Sequence, residues 1–302
     1  MSIGFLIIYK FFVFSEIFNC DILSKTKEVN MRLIFIRHGD PDYKNDNLTE
    51  KGKREVELLT KRVCSWKNIT QFYQSPLGRA KATAAPSLAA LGREAVTCDW
   101  LREFDYKVHM TKNYPDKARV GKDVMCWDFL PEFFMSDKMF FDKDSWADSK
   151  LMKSGKIKQY YKQLCDGIDG VLAEYGYTRN KKGFYDVAKP VPNRNWSEPV
   201  EGYHLKSVKD DYPEEPTLVF FCHLGAMFAV IAHLVGLSPM QLWQGFFVAP
   251  TSVTVLNSEE RLEGQAWFRV ERLGDTNHLT NGGERISSSG YFADVLDEAV
   301  SH

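Results

Sequence analysis

The sequence is short of the features that mark several functional classes. Its six cysteines, at 20, 64, 98, 126, 165 and 222, form no CxxC pair. That argues against a zinc site or a disulfide framework and reads as reduced thiols in a cytoplasm. Net charge is almost absent, with 39 Lys and Arg against 40 Asp and Glu, giving −1 at pH 7. Such a balance gives no support for general nucleic-acid binding, so any anion site has to be a local cluster of positive groups. The histidines show no metal-ligand spacing, internal repeats are missing, and the only low-complexity run is SSS near the C-terminus.

A long uninterrupted apolar span is missing too. MSIGFLIIYKFFVFSEIFNC opens the chain, but Lys10 and Glu16 break it, no basic region precedes it and no small-residue cleavage site follows. It makes a poor signal peptide and a poor membrane span. The codons for KEVN, just before Met31, can hold a bacterial ribosome-binding sequence directly upstream of an ATG. Met31 is therefore expected to be the start, with residues 1–30 a translated leader, in a bacterial cytoplasmic protein without firm membrane association. The alternative for 1–30 is an interfacial helix or anchor.

What the chain does have is 302 residues of ordinary composition, 44% hydrophobic and 26% charged, enough for one large α/β domain or two small ones. MRLIFI reads as a buried strand, and residues 51–66 as a helix with Val56, Leu59 and Val63 on one stripe and Thr49 as N-cap. ITQFYQS (69–75) is a second strand, PLGRAKATAAPSLAAL a second helix and EAVTCDW (94–100) a third strand. This alternation predicts βαβ units and a parallel sheet. It stops over 104–215, which is aromatic and charged, with one clear helix near 156–175 and turn-rich pieces such as NKKGFYD and PVPNRNWSEP. It resumes with the strand TLVFFCH (217–223), the helix LGAMFAVIAHLVGL and the strands TSVTVLN (251–257) and QAWFRVERLG (265–274). The expected architecture is a three-layer α/β/α domain over 31–280. Its central sheet is mostly parallel, its insertion (104–215) lies over the carboxyl ends of the strands, and a loose polar tail follows (281–302).

Both fully apolar strands end in chemistry. MRLIFI runs into Arg37, His38 and Gly39, and TLVFFC runs into His223, Leu224 and Gly225. Ligands of open α/β sheets bind at the carboxyl ends of strands, where helix N-termini add unpaired N–H groups that favour an anion. Arg79 follows the second strand and Glu103 the third, so each of these strand ends carries a polar or charged group. Arginine, histidine and helix ends together suit a phosphate.

The motifs RHG (37–39), LTEKG (48–52), SPLGRAKAT (75–83), LREF (101–104) and the late strand ending in CH, in that order, resemble the histidine phosphatase superfamily, also called phosphoglycerate mutase-like. GDTNHL (274–279) is similar to a tail motif of some members. The resemblance implies a metal-independent phosphomonoester hydrolase without a cofactor, acting through a phosphohistidine on His38. Arg37 and Arg79 would clamp the phosphoryl oxygens, His223 would donate to them, and Glu103 would serve as general acid and base, with Asp105 as its alternative. Asn47, Lys107 and Leu224 join the two arginines as candidate substrate-binding residues, with His109 beside Lys107. Leu224 stands where many members have glycine, and its side chain is expected to narrow the pocket. The partner implied is a small phosphorylated substrate, with no nucleic acid; a homodimer stays open. Two other readings compete. One is a cofactor-dependent phosphoglycerate mutase, although RHGDPDY lacks the Trp and Asn of the RHGxSxWN pattern. The other is a non-catalytic phosphate-binding module. His233, ten residues along the helix from His223, lies roughly 15 Å off and is expected to be structural.

Overall fold

The computed structural model describes residues 31–188, 216–262 and 264–296; the leader region and PVPNRNWSEP lie outside them. The chain begins with β1 (Arg32–Arg37), a short β2 (Pro41–Asp42) and β3 (Asn47–Leu48), then α1 (Glu50–Cys64). Thr49 caps α1 as expected, its hydroxyl accepting from the Gly52 N–H at 3.0 Å. β4 (Ile69–Gln74), α2 (Gly78–Leu91) and β5 (Ala95–Thr97) complete the first alternation. The insertion then supplies β6 (Lys107–His109), β7 (Asp123–Met125), α3 (Pro131–Ser136), α4 (Lys150–Ser154), α5 (Ile157–Glu174), β8 (Tyr177–Arg179) and β9 (Tyr185–Val187). β10 (Thr217–Cys222), α6 (Leu224–Val235), α7 (Pro239–Gly245), β11 (Val253–Leu262), β12 (Gln265–Asp275) and α8 (Asn277–Gly282) follow.

One sheet organises these elements, in the order β5-β4-β10-β1-β11-β12-β9-β8. Strands β5, β4, β10 and β1 pair in parallel and form the expected α/β centre, while β11 onward adds antiparallel strands at one side. Side chains alternate between two cores, as a strand period of two requires. Ile34, Ile36, Val219 and Phe221 point to α1 and α2, meeting Leu59, Val63 and Ala84. Leu33, Phe35, Leu218 and Phe220 point the other way, to α5 and α6. Phe220 stacks between Phe35 and Tyr73 at 4.9 and 4.8 Å. Full burial of one such ring stabilises by roughly 3 kcal/mol. Helices on both faces of the sheet make three layers.

The insertion is part of the body as well as a cover. Its helix α5 packs on α6, and β8 and β9 extend the main sheet. Its aromatic side chains join the core of that face: Trp146 and Phe104 lie 5.5 and 5.2 Å from Trp243. They do not form a separate small core. At the strand ends, the indole N–H of Trp127 donates to the Phe104 carbonyl at 2.8 Å, tying the insertion to the residue after Glu103. Among the described residues no helix is long and apolar enough to cross a membrane.

Candidate active site

β1 and β10 are parallel neighbours and end in register, so whatever follows each strand is brought side by side. The His38 N–H donates to the Cys222 carbonyl at 2.9 Å, which carries the pairing one residue beyond the strand. The His38 and His223 rings consequently face each other with centroids 5.1 Å apart. His38 Nδ1–H donates to the Gly39 carbonyl at 2.8 Å, and this assignment places the lone pair on Nε2. Gly39 in turn donates its N–H to Thr83 of α2 at 3.0 Å. His223 Nε2 is 2.7 Å from the Ser75 hydroxyl at the end of β4. With Ser75 donating to Nε2, the His223 proton sits on Nδ1, a buried atom with no partner among the described residues.

The arginines are held by their far ends. Arg37 gives Nη1 to the Val248 carbonyl at 2.8 Å and Nη2 to the Ser289 carbonyl at 2.9 Å. Arg79 gives Nη1 to Asp46 Oδ1 at 2.7 Å, and the other oxygen of Asp46 accepts from the Gly78 N–H at 2.6 Å, the first donor of α2. Tyr43 lies against the Arg79 guanidinium, 5.4 Å from ring to carbon. In both arginines the buried Nε has no partner among the described residues. Three buried nitrogens, Arg37 Nε, Arg79 Nε and His223 Nδ1, are thus unpaired in one neighbourhood, which is what an oxyanion needs.

Glu103 follows β5 after a 3₁₀ turn (Asp99–Leu101) and turns back under α6. Its Oε1 accepts from its neighbour Phe104 N–H at 2.8 Å and from Ala226 N–H at 3.1 Å. An N-terminal donor of α6 is therefore satisfied by this carboxylate. Any side chain at 225 would have to displace this carboxylate, because an added Cβ would sit 2.7 Å from Oε1. Asp105, the alternative acid, is exposed. Leu224 follows His223 as the first residue of α6 and packs its side chain against the core.

Electrostatics follow from burial. His38 and His223 are almost fully enclosed, at 1% and 0% exposure. Burial pulls the His38 pKa well below 6.5, with Arg37 and Arg79 acting the same way. Burial first, then His38, Arg79 and Arg37, do so for His223. Both imidazoles are neutral at pH 7. Glu103 is pushed up from 4.5, because burial outweighs the hydrogen bonds and the arginines that favour its charge. His38, Glu103 and His223 offer ligand atoms within 4.8 Å of one another, a spacing that could hold a metal ion. Two guanidinium groups in the same cluster make the field positive and suit an anion better.

Several expected residues fall elsewhere. Asn47 is exposed on β3 with its side-chain oxygen turned to the Leu48 N–H, and it is Asp46 that reaches Arg79. Lys107 and His109 are exposed on β6, where His109 pairs with Asp123 at 2.9 Å. His233, on α6, pairs with Asp169 of α5 at 2.9 Å. Others carried no sequence signal. Glu55 of α1, fully buried, accepts the Asp40 N–H at 2.8 Å, and burial raises its pKa to about 7. The tail, expected to be loose, is anchored over 284–291 by contacts to Arg54, Asp40 and Arg37. Serines and a backbone carbonyl make two of those contacts, and neither type leaves a periodic pattern.

Residues 33–131 match the family model of the histidine phosphatase superfamily (branch 1). The resemblance carried by RHG, LTEKG, SPLGRAKAT and LREF, all within that stretch, is borne out. No curated protein sequence matches the chain. Among solved structures, a mycobacterial glucosyl-3-phosphoglycerate phosphatase is 15% identical with a TM-score of 0.47, covering 81% of this chain and 99% of that one. The phosphoserine phosphatase of Entamoeba histolytica is 16% identical with a TM-score of 0.44, covering 82% and 99%. The alpha-ribazole phosphatase of Shigella flexneri is 16% identical with a TM-score of 0.45, covering 82% and 97%.

Proposed function

We propose that the protein is a metal-independent phosphatase that hydrolyses phosphomonoesters through a phosphohistidine on His38. One observation carries this reading: a neutral His38, with Nδ1 tied to the Gly39 carbonyl, shares an enclosed site with three unpaired buried nitrogens of Arg37, Arg79 and His223. A free imidazole lone pair beside fixed cationic donors is what in-line phosphoryl transfer requires.

In the first half-reaction His38 Nε2 forms a bond to phosphorus while the ester P–O bond breaks. Arg37, Arg79 and His223 Nδ1–H donate to the non-bridging oxygens. Glu103, whose pKa its surroundings raise above the ordinary 4.5, gives its proton to the departing alkoxide. In the second half-reaction Glu103 takes a proton from water, the resulting hydroxide attacks phosphorus, and His38 leaves with inorganic phosphate released. Removing one oriented donor from such a site costs about 3 kcal/mol of barrier.

The test is hydrolysis of 4-nitrophenyl phosphate and of alkyl phosphates by the wild type and His38→Ala, followed by a 2,3-bisphosphoglycerate-dependent mutase assay. Turnover by the wild type, none by the variant and no mutase activity are the expected results. Retained hydrolysis in His38→Ala ends the phosphohistidine mechanism, and a mutase rate above the hydrolytic one replaces the phosphatase with its rival.

A further inference from the structure

The C-terminal segment from Glu284 to Tyr291 is anchored at four points, two of them on residues flanking His38. Glu284 pairs with Arg54 of α1 at 2.7 Å. Ser287, 4% exposed, donates its hydroxyl to Asp40 Oδ1. The Ser289 carbonyl accepts from Arg37 Nη2 at 2.9 Å. Tyr291 stacks on Phe247 at 4.4 Å, and the same Phe247 ring lies 5.7 Å from the Arg37 guanidinium carbon. Gly290 makes the approach feasible, since its φ is +82° and an added Cβ would lie 3.1 Å from Arg37 Nη2.

We infer that this strap is a positioning element of the phosphoryl site, with Ser287 and the Ser289 carbonyl fixing the chain on either side of His38. The inference rests on the phosphatase reading above. Arg37 precedes the nucleophile by one residue and Asp40 follows it by two. The strap touches both. At Arg37, the carbonyls of Val248 and Ser289 each take one Nη, so the guanidinium cannot turn and its unpaired Nε–H keeps one direction. A buried cation that loses an acceptor either rotates to find another or draws in water. Either change moves the donor that the phosphoryl oxygen meets. At Asp40, Ser287 and the Thr49 hydroxyl hold one carboxylate oxygen each, while Glu55 accepts the backbone N–H. The loop after His38 is then fixed from two sides, by α1 with its N-cap and by the strap.

The test uses the full chain carrying Gly290→Val, Ser287→Ala or Tyr291→Ala, with Phe292→Ala, 94% exposed, as control. Three quantities are read: kcat/KM on 4-nitrophenyl phosphate, the affinity for inorganic phosphate by calorimetry, and Tm. Misplacing a reacting group by about an ångström costs up to about 100-fold, so Gly290→Val should lower kcat/KM and phosphate affinity together by about 10-fold or more. Ser287→Ala and Tyr291→Ala should lower both by less, and Phe292→Ala should match the wild type. Phosphate affinity separates positioning from mere packing, which would lower Tm and leave it unchanged. Equal kcat/KM and phosphate affinity across the strap variants overturn the inference, as does a gain of activity, which would make the strap an obstruction. If Gly290→Val does not fold, the two side-chain variants decide. A wild type that binds phosphate without turning over esters sinks the phosphatase reading alone, and the phosphate affinities still decide the role of the strap.

Discussion

Gly225 faces the carboxylate of Glu103 so closely that a single methyl group on it would lie 2.7 Å from Oε1. Gly225→Ala should therefore move the proposed acid without removing it. Inside a helix, alanine is better than glycine by about 1 kcal/mol, so stability should not fall in step with activity. The expected result is a loss of kcat/KM on alkyl phosphates of about 10²-fold with Tm little changed. Full activity in this variant would show that the close contact has no bearing on turnover.

The leaving group tests Glu103 itself. An alkyl phosphate departs as a strongly basic alkoxide, so Glu103→Gln should slow it by about 10²- to 10⁴-fold. A nitrophenolate leaves without help, and the same variant should cost it far less, provided phosphorylation of His38 limits kcat/KM. Equal losses on both substrates would remove Glu103 from the role of acid. Asp105, being exposed, would then need to be tested in the same way.

The pH profile follows from the directions of the two shifts. His38 must be neutral to attack, and burial places its pKa well below 6.5, so the acid limb of kcat/KM should lie below that value. Glu103 must be protonated to act as acid, and burial raises its pKa above 4.5, so activity should fall again as pH rises through that raised value. In Glu103→Gln the alkaline limb attributed to Glu103 should vanish while the acid limb stays. An acid limb centred above 6.5 would contradict a buried neutral nucleophile.

Glu55 offers a prediction about stability. Its folded pKa of about 7 exceeds the ordinary 4.5, so the native state binds more protons between those values. Stability linked to this group is greatest below pH 4.5 and is lost as pH rises to about 7. Glutamine keeps an acceptor for the Asp40 N–H and cannot ionise. Glu55→Gln should therefore gain up to about 3 kcal/mol over the wild type at pH 8 relative to pH 4, at about 1.4 kcal/mol per unit. Urea unfolding at the two pH values measures this, and a difference independent of pH would show that Glu55 does not titrate in this range.

The parts legible in the sequence were those where a periodic pattern met an abrupt change. β1 and β10 are wholly apolar until Arg37 and His223, and the stripe of α1 behind Thr49 announces itself. β8 and β9 were hidden because each has only three residues, set around a turn-rich NKKGFYD. α7 was hidden by its brevity, although Ser238 and Gln241 form a capping box around Pro239. Asp46 leaves no mark in the sequence that sets it apart from its exposed neighbour Asn47, because its partner Arg79 is brought to it only by the tertiary fold. Contacts between residues far apart in sequence leave no local mark when one partner is a backbone carbonyl, as at Ser289 and Val248.

The sheet order also governs how this chain can fold as it is made. β1 and β4 are not neighbours, because β10 lies between them, and β10 begins only at Thr217. The first strand–helix–strand–helix unit to leave a ribosome therefore has no central pairing available. Its apolar strands must wait for the entire insertion to be synthesised before their edges are covered. Such long-range closure makes folding slow and leaves strand edges exposed meanwhile. Arg37 and His38 are therefore in place only once the last third of the chain has arrived, so a truncated product would have neither a finished sheet nor a reactive centre.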